Sequence, residues 1–568
     1  MIAICLFFIG ICKKSPAQNA NPYDVLIDEI FCDPSPPVGL PNAEFLELRN
    51  VSAFPIDLKN WQIKDPGHNL LIKSSFILQP DSFLIICSAS ASDYYEKFGT
   101  VLGLAGFPAL NNDGQTLFLV SPEGRIIHAL NYDKTWYQND LKKEGGWSLE
   151  MIDTKNPCSG KTNWKASIDP LGGSPGKINS MDGVNPDISG PWLIRTVTED
   201  DQHIILLFNE TLDSATAAQP GHYLVEPMGR PMESFPLAPM NNGVRLKLPI
   251  RMDTGIIYQV SVEGLVDCAG NPSLPGKTSP AGMPMASGSS DLIINEVLYN
   301  PPSNGYDYVE IYNRSKKIID LNKWAFANRD AGGNLMNIAR ISIEPRLIFP
   351  GDYLVFSENS DWVEQHYQVK YPEHLLELTS MPSLPDDKGN LVLLNEQGAP
   401  IDELSYHHQW QFALLADEAG VALERVDFDQ PTQNPDNWTS AASTAGFGTP
   451  GYQNSTFHLA SLDPPGISVN PKLFSPDNDG IDDFCFIQLN MPGPGFACNL
   501  TVFDASGRPV RYLLRNAILS AENSLRWDGM DENHRPLPMG IYIVFAELFN
   551  LKGEIQKSKH AVALARRN

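Results

Sequence analysis

The sequence predicts an all-β protein of several domains, and three observations carry that expectation. Its 46 prolines and 43 glycines are spread as turn punctuation between short apolar runs, the pattern of chains built from strands and tight turns. At 568 residues the chain has room for roughly three to five domains, each able to bury its own core. The third observation is a long internal repeat. LIDEIFCDPSPP, FLELRNVS and IDLKNWQIKD within residues 26–65 are answered by IINEVLYNPPS, YVEIYNRS and IDLNKWAFANRD within residues 293–330. The echo continues in order, through Gly146–Glu150 and Gly420–Glu424, then Asn163-Trp164 and Asn437-Trp438. It closes at Ser174-Pro175-Gly176 and Thr449-Pro450-Gly451. A period this long is a duplicated domain and not a solenoid unit.

The first copy fills residues 22–178. Val25–Phe31, Glu44–Leu48, Phe83–Cys87, Thr116–Val120 and Ile126–Leu130 are short, apolar and bounded by turn residues, so each reads as a strand. Asn112-Asp113-Gly114 and Pro122-Glu123-Gly124 are hairpin turns. Residues 180–191 read as a linker. A different unit occupies 189–283, with strands at Ile204–Phe208, Val244–Leu248 and Ile256–Val262 and a short helical turn within Thr211–Ala218. The Pro-, Gly- and Ser-rich stretch 272–290 separates it from the second copy, residues 291–453, where Ser360–Tyr371 is the best helix candidate. A last unit, 466–568, carries strands at Asn499–Asp504, Ile541–Phe549 and His560–Ala565.

Charge excludes one partner class. With 67 acidic against 42 basic residues the formal charge is −25, and without a basic run a phosphate backbone is repelled, so nucleic acid is not an expected partner. The first 17 residues, MIAICLFFIGICKKSPA, hold an apolar stretch too short to span a bilayer. They read as an export signal ending in a small-residue site before Gln18; a lipid on Cys12 is the rival reading. No other segment approaches the length of a membrane span. Six cysteines follow the leader, without CxxC or zinc spacing. Cys485 and Cys498 lie at a hairpin-compatible separation, and either pair in an exported protein or remain buried thiols like the rest.

Ile27–Ile30, Glu44–Asn50, Leu58–Trp61 and Trp164–Gly176, with Ile294–Val297, Tyr308–Asn313, Leu321–Trp324 and Trp438–Gly451, resemble the lamin tail domain, an immunoglobulin-like β-sandwich. The resemblance implies an interaction or display module and supplies no catalytic residues. Residues 189–283, through Leu206–Leu212, Tyr223–Val225, Tyr258–Val260 and Asp267–Asn271, resemble immunoglobulin-like domains of bacterial surface-layer proteins. Residues 466–568, through Phe474–Phe484, Val502–Asp504, Trp527–Gly529 and Pro538–Tyr542, are similar to C-terminal domains of gliding-motility and type IX secreted proteins of Bacteroidota, and to the flagellar hook-cap domain. That resemblance implies a sorting or anchoring signal read by outer-membrane secretion machinery. The expected architecture is therefore four immunoglobulin-like β-sandwiches in series.

Few residues offer chemistry. Gly172-Gly173-Ser174-Pro175-Gly176 fits GxSxG, but a nucleophile elbow needs a strand before and a helix after the serine, and the second copy has Thr449 here. It reads as a chain-exit turn. His407-His408 has no counterpart beside Asp133-Lys134. Glu29, Glu44 and Glu47, with Glu296 and Glu310, form a carboxylate group that alternation explains in part, with Leu46 and Leu48 on one side and Phe45 and Glu47 on the other; it reads as a solvated strand face, and a metal or catalytic pair is the rival reading. Asp477, Asp479, Asp482 and Asp483, around Gly480, supply oxygens for a calcium ion, although an Asp/Asn-rich turn uses the same side chains. Trp61, Trp136 and Trp164 recur as Trp324, Trp410 and Trp438, which marks core positions. No other cofactor is expected. These residues suggest a non-enzymatic secreted or cell-surface interaction protein that binds an extracellular ligand through loops and edges. The alternative is a secreted hydrolase or nuclease-associated protein with its site in the first copy, where Ser35–Asn42 has no equivalent.

Overall fold

The computed structural model describes residues 20–342, 344–412, 415, 417–457, 466–476, 482, 484–520 and 522–565. The leader at 1–17, and Asp477, Asp479 and Asp483 of the calcium expectation, lie outside the described residues. The chain folds as four immunoglobulin-like β-sandwiches, and it divides into two compact units, Met1–Met252 with Ile257–Ala281, and Asp253–Ile256 with Gly282–Asn568.

In the first unit, the first copy builds a six-stranded sheet in the order Trp164–Ala166, Leu149–Met151, Val25–Phe31, Phe45–Asn50, Phe83–Ser88, Val101–Leu104. A four-stranded sheet of Ile126–Asp133, Gly114–Val120, Gln62–Lys64 and Asn69–Leu71 faces it. The pairs are antiparallel except at the Val101–Leu104 edge, which runs parallel to Phe83–Ser88. A parallel neighbour requires a crossover, and the turn of helix at Ser92–Tyr95 lies within it. Between the sheets lie Leu26, Leu46, Leu48, Trp61, Leu117, Leu119 and Trp164. The outer face is covered as well: Phe31, Phe45, Ile85 and Tyr95 form a second apolar cluster. Val25–Phe31 is consequently buried at every position.

The next sandwich packs Leu193–Thr198, His203–Phe208, Gly243–Lys247 and Glu233–Pro236 as one sheet and Tyr223–Glu226, Tyr258–Val262 and Thr278–Ala281 as another. The expected helical turn is Ser214–Ala217, capped by Asp213, which accepts from the Thr216 N–H. Cys158 of the first copy and Cys268 of this sandwich form a disulfide with Cα atoms 6.5 Å apart, inside the usual span for such bonds.

In the second unit, the second copy repeats the first strand for strand: Trp438–Ser440, Leu423–Arg425, Leu292–Leu298, Tyr308–Asn313, Tyr353–Ser357, then a parallel Leu375–Glu377. The helix here is Ser360–His366, shorter than expected. Asn359 caps its start by accepting from the Trp362 N–H, but Tyr367 is already extended and its ring packs on Tyr308 at 5.5 Å. Burial of that ring against the sheet, not helix propensity, sets the end. Trp61, Trp136, Trp164, Trp324 and Trp438 are buried, and Trp410 packs against the core, as expected.

The last sandwich joins Gly466–Asn470, Cys485–Asn490 and Glu522–Trp527 in one sheet and Leu473–Phe474, Ile555–Leu564, Gly540–Asn550, Phe496–Phe503 and Pro509–Ile518 in the other. Cys485 and Cys498 do not pair; both are free, buried thiols on opposite sheets of one apolar core. Sequence separation alone suggested a hairpin between them, whereas Cys485 pairs across to Trp527 and Cys498 to Ala517 and Leu548.

The Cys158–Cys268 bond closes a loop of 110 residues, and in a chain-entropy account a loop of about that length contributes about 4–5 kcal/mol. Calorimetry of the full chain with and without reductant should therefore lower the melting of the first unit by several degrees and leave the second unit's transition in place.

Candidate functional site

The chemistry-bearing residues of both copies converge on one place. Glu29 lies opposite Glu150 on one neighbouring strand and opposite Glu47 on the other. Glu296 lies likewise between Glu424 and Glu310. All six side chains are buried. This corrects the expectation of a solvated strand face: the outer face of each six-stranded sheet carries apolar clusters and the chain's own exit segment. Glu44 stands apart, half-buried, and accepts the Leu110 N–H.

The exit segment lies directly on the glutamates. In the first copy the Ser174 N–H donates to Glu29 at 2.8 Å, the Gly176 N–H to Glu47 at 2.5 Å, and the Ser174 hydroxyl to Glu150 at 2.6 Å. The second copy repeats this with the Thr449 N–H to Glu296 at 2.9 Å, the Gly451 N–H to Glu310 at 2.6 Å, and the Thr449 hydroxyl near Glu296 and Glu424 at 2.7 and 2.8 Å. The intervening Pro175 or Pro450 has no N–H to leave unsatisfied. A Cβ at Gly173 would sit 2.6 Å from Glu29 Oε1, and Gly176 has φ +79°. The residue pattern of the turn is therefore dictated by contact with carboxylates. Ser174 has no histidine partner here, and the GxSxG pattern is structural.

Five residues further on, Asn179 donates to the carbonyls of Asp28 and Met151, and Asn454 to those of Asn295 and Arg425. Asp28 and Asn295 are the extra residues of matching β-bulges, where register shifts between Ile27 and Glu29 and between Ile294 and Glu296. The bulge explains why two consecutive polar residues are buried together. Sequence reasoning missed Asn179 and Asn454, although Pro-Gly-x-x-Asn-Ser recurs at 175–180 and 450–455.

Hydrogen counting locates one proton. The Thr449 hydroxyl touches both Glu296 and Glu424 but has one hydrogen. Glu424 also accepts from Ser455 and from the N–H and hydroxyl of Thr456, so it keeps the charge and Glu296 carries the proton. Burial pushes the Glu296 carboxyl up to about 8, Glu424 adds to the rise, and the Tyr308 and Thr449 donors oppose it. Burial also raises Glu29, Glu47 and Glu310 well above the ordinary range. Adjacent carboxylates away from water cannot all ionise.

The copies differ at the bulge. Asn295 donates to Glu310 at 2.7 Å. In the first copy Asp28 takes this place, and both its oxygens, with Oε1 of Glu47, are buried without a hydrogen-bond partner. Asp28 is the group that can take up a proton here, since a neutral carboxyl has a hydrogen to donate. Its carboxyl is pushed up to about 7 by burial, which the nearby Arg49 opposes. A second exchange lies behind the bulge. The Ile294 N–H donates to Asp402, which faces buried Arg425. The Ile27 N–H donates to Nδ1 of buried His128, whose Nε2 reaches the Pro157 carbonyl, and desolvation lowers this imidazole to about 4.

The other candidates are separate. His407 accepts the Gln409 N–H and caps a short 3-10 turn, as Asp133 does through the Thr135 N–H. Asp482 is left-handed at φ +51°, and its carbonyl accepts the Ser475 N–H. Sequence reasoning missed Asp187, Glu210 and Asp267 beside the disulfide, which bring one carboxylate oxygen each within 4.8 Å of one another. Such oxygens suit a divalent cation, though these acids already accept from Ser159, Asn209 and Asn271.

Comparison with known proteins follows the repeat. Both copies match the lamin tail domain. The matched residues are 18–134 and 285–408, so Glu150, Glu424 and both exit turns lie beyond the matched stretches. No curated protein matches the chain. Similar solved structures include FlgD from P. aeruginosa (22% identity, 14% of this chain and 62% of that one, TM-score 0.13). A DUF4876 family protein from Bacteroides thetaiotaomicron is 14% identical over 34% of this chain and 78% of that one, with TM-score 0.18. The surface layer protein SbsC, domains 1–6, is 12% identical over 67% and 55%, with TM-score 0.16. The chain spans less than two thirds of FlgD and SbsC, and likeness at these scores carries no argument.

Because Asp28 is raised from 3.8 to about 7, its contribution to folding is complete below pH 3.8 and is lost as pH rises through about 7. Asp28→Asn removes this titration and should stabilise the first copy at pH 8 by about 1–3 kcal/mol, with a smaller gain at pH 5; urea denaturation at both pH values measures this. Thr449→Val, which removes the hydroxyl between two carboxyls, should cost about 1–3 kcal/mol in the second domain in the same assay.

Proposed function

We infer that this chain is a non-enzymatic, multidomain interaction protein exported to the cell surface or medium by a bacterium of Bacteroidota type. The observation that carries this reading is that, in both copies, the acids and hydroxyls able to do chemistry lie buried under the exit turn. There they accept hydrogen bonds from the backbone and hydroxyls of the exit segment. A rigid sandwich with its polar residues committed inward leaves loops and strand edges for recognition. Two lamin tail domains in one chain add avidity if both engage one target.

The modules on this reading are 22–178, 189–283, 291–453 and 466–568, the last carrying the sorting or anchoring signal for outer-membrane secretion machinery. Among the described residues no helix is long and apolar enough to cross a membrane. On the same reading the 477–483 segment takes calcium, through Asp477, Asp479, Asp482 and Asp483.

Fractionation with protease shaving of intact cells should find the protein outside the outer membrane, with Gln18 as its first residue. A leader-bearing protein held in the cytoplasm, or a full-length chain retained in the periplasm, contradicts the reading. Millimolar calcium should raise the melting temperature of the last module in the full chain and chelator should reverse it; an Asp479→Asn variant should lose the response.

A further inference from the structure

The exit turn of the second lamin tail domain forms one wall of a groove of about 970 Å³, and the last sandwich supplies the other wall. We propose that this groove binds a neutral oligosaccharide, an assignment that rests on the interaction-protein reading and names its ligand class.

Four aromatic side chains, Tyr353, Tyr371, Tyr452 and Phe457, and a set of uncommitted polar groups line it. Tyr371 is 48% exposed and its ring leans on His374 at 5.2 Å. Tyr452 lies next to the exit glycine, with the Lys370 ammonium 4.0 Å from its ring centre. The amides of Gln368, Gln453 and Asn490 also line the groove, and none makes a side-chain hydrogen bond among the described residues. A sugar ring offers an apolar C–H face and paired hydroxyls. Tyrosine takes the face while keeping its own hydroxyl wet, and a primary amide, with donors beside an acceptor, takes two neighbouring hydroxyls. A concave site between domains with a few convergent polar groups is where such ligands settle.

Charge selects the neutral class. The formal charge of −25 disfavours a polyanion, and Asp352 is the one acid among the lining residues. Its carboxylate already accepts the Phe349 N–H. Glycoside hydrolysis uses two flanking carboxyl groups, so the groove is built for holding a glycan and not for cutting it.

The internal repeat supplies a control. In the first copy the equivalent exit glycine, Gly176, meets Phe98 and Gly99 so closely that a Cβ on Gly99 would lie 2.8 Å from its Cα. In the second, Gly451 faces Tyr371 and His374, with a Cβ reaching no nearer than 3.5 Å. Among the described residues, the second copy leaves space beside the turn where the first is closely packed.

The test is calorimetric titration of the full chain with malto-, cello-, xylo- and chitohexaose, a neutral glycan array, and a sulfated heparin fragment as anionic comparison. At least one neutral glycan should bind, and Tyr371→Ala combined with Gln453→Ala should weaken it about tenfold or more without moving the melting temperature. Tyr94→Ala, exposed in the first copy, should leave binding intact. No binding of any neutral glycan, binding of heparin alone, or binding that survives the double variant overturns the groove assignment while the non-enzymatic reading stands. Release of new reducing ends from a bound hexaose overturns that reading instead.

Discussion

Three carboxyl groups side by side in a dry sheet would destabilise an ordinary sandwich, because an unpaired buried charge costs several kcal/mol. In both copies that arrangement is what joins the end of the domain to its centre. The Glu29 and Glu296 rows sit on the middle strands, and the exit turn brings two backbone N–H groups and a hydroxyl to meet them. Partial protonation removes the repulsion, and the remaining charge is met by donors. Gly173 is there because a Cβ would sit 2.6 Å from Glu29 Oε1. Asn179 and Asn454 add bonds from the same segment to strand carbonyls beside the glutamates.

The two copies show which parts of the arrangement are fixed and which can be exchanged. The glutamates, the prolyl turn and the asparagine five residues beyond Ser174 or Thr449 recur unchanged. The bulge residue exchanges Asn295 for Asp28, which moves a proton donor from an amide to a carboxyl. Behind the bulge, the ionic Asp402–Arg425 pair is exchanged for neutral His128 with Met151. This second exchange keeps a hydrogen-bond partner for the N–H of Ile27 or Ile294. Polar satisfaction, not residue identity, is what the position requires.

Strand positions, the duplicated domain and the buried tryptophans were legible in the sequence, because period-two apolar patterning and the internal echo report them directly. The position of the glutamates on the outer face was also legible from alternation around Leu46 and Glu47. Their burial was not. Local pattern shows which face a side chain takes, but it cannot show that a segment more than a hundred residues away covers that face. The Cys158–Cys268 bond was hidden for the same reason, since it joins two modules 110 residues apart. The Ser360–His366 helix stopped short because packing of Tyr367 outweighed a permissive local sequence.

Functionally, the inward commitment of acids and hydroxyls leaves the exterior to do the work. The two copies share their interior device and differ beside it, so a surface role can be acquired by one copy without disturbing the fold of either. The central claim is that the exit segments are integral to their sheets. Hydrogen–deuterium exchange of the full chain, followed on peptides covering 173–181 and 448–456, tests it most directly. The account predicts that the Gly176 and Gly451 amides exchange as slowly as those of the central strands Val25–Phe31 and Leu292–Leu298. Exchange at the rate of an exposed loop in both segments would contradict it.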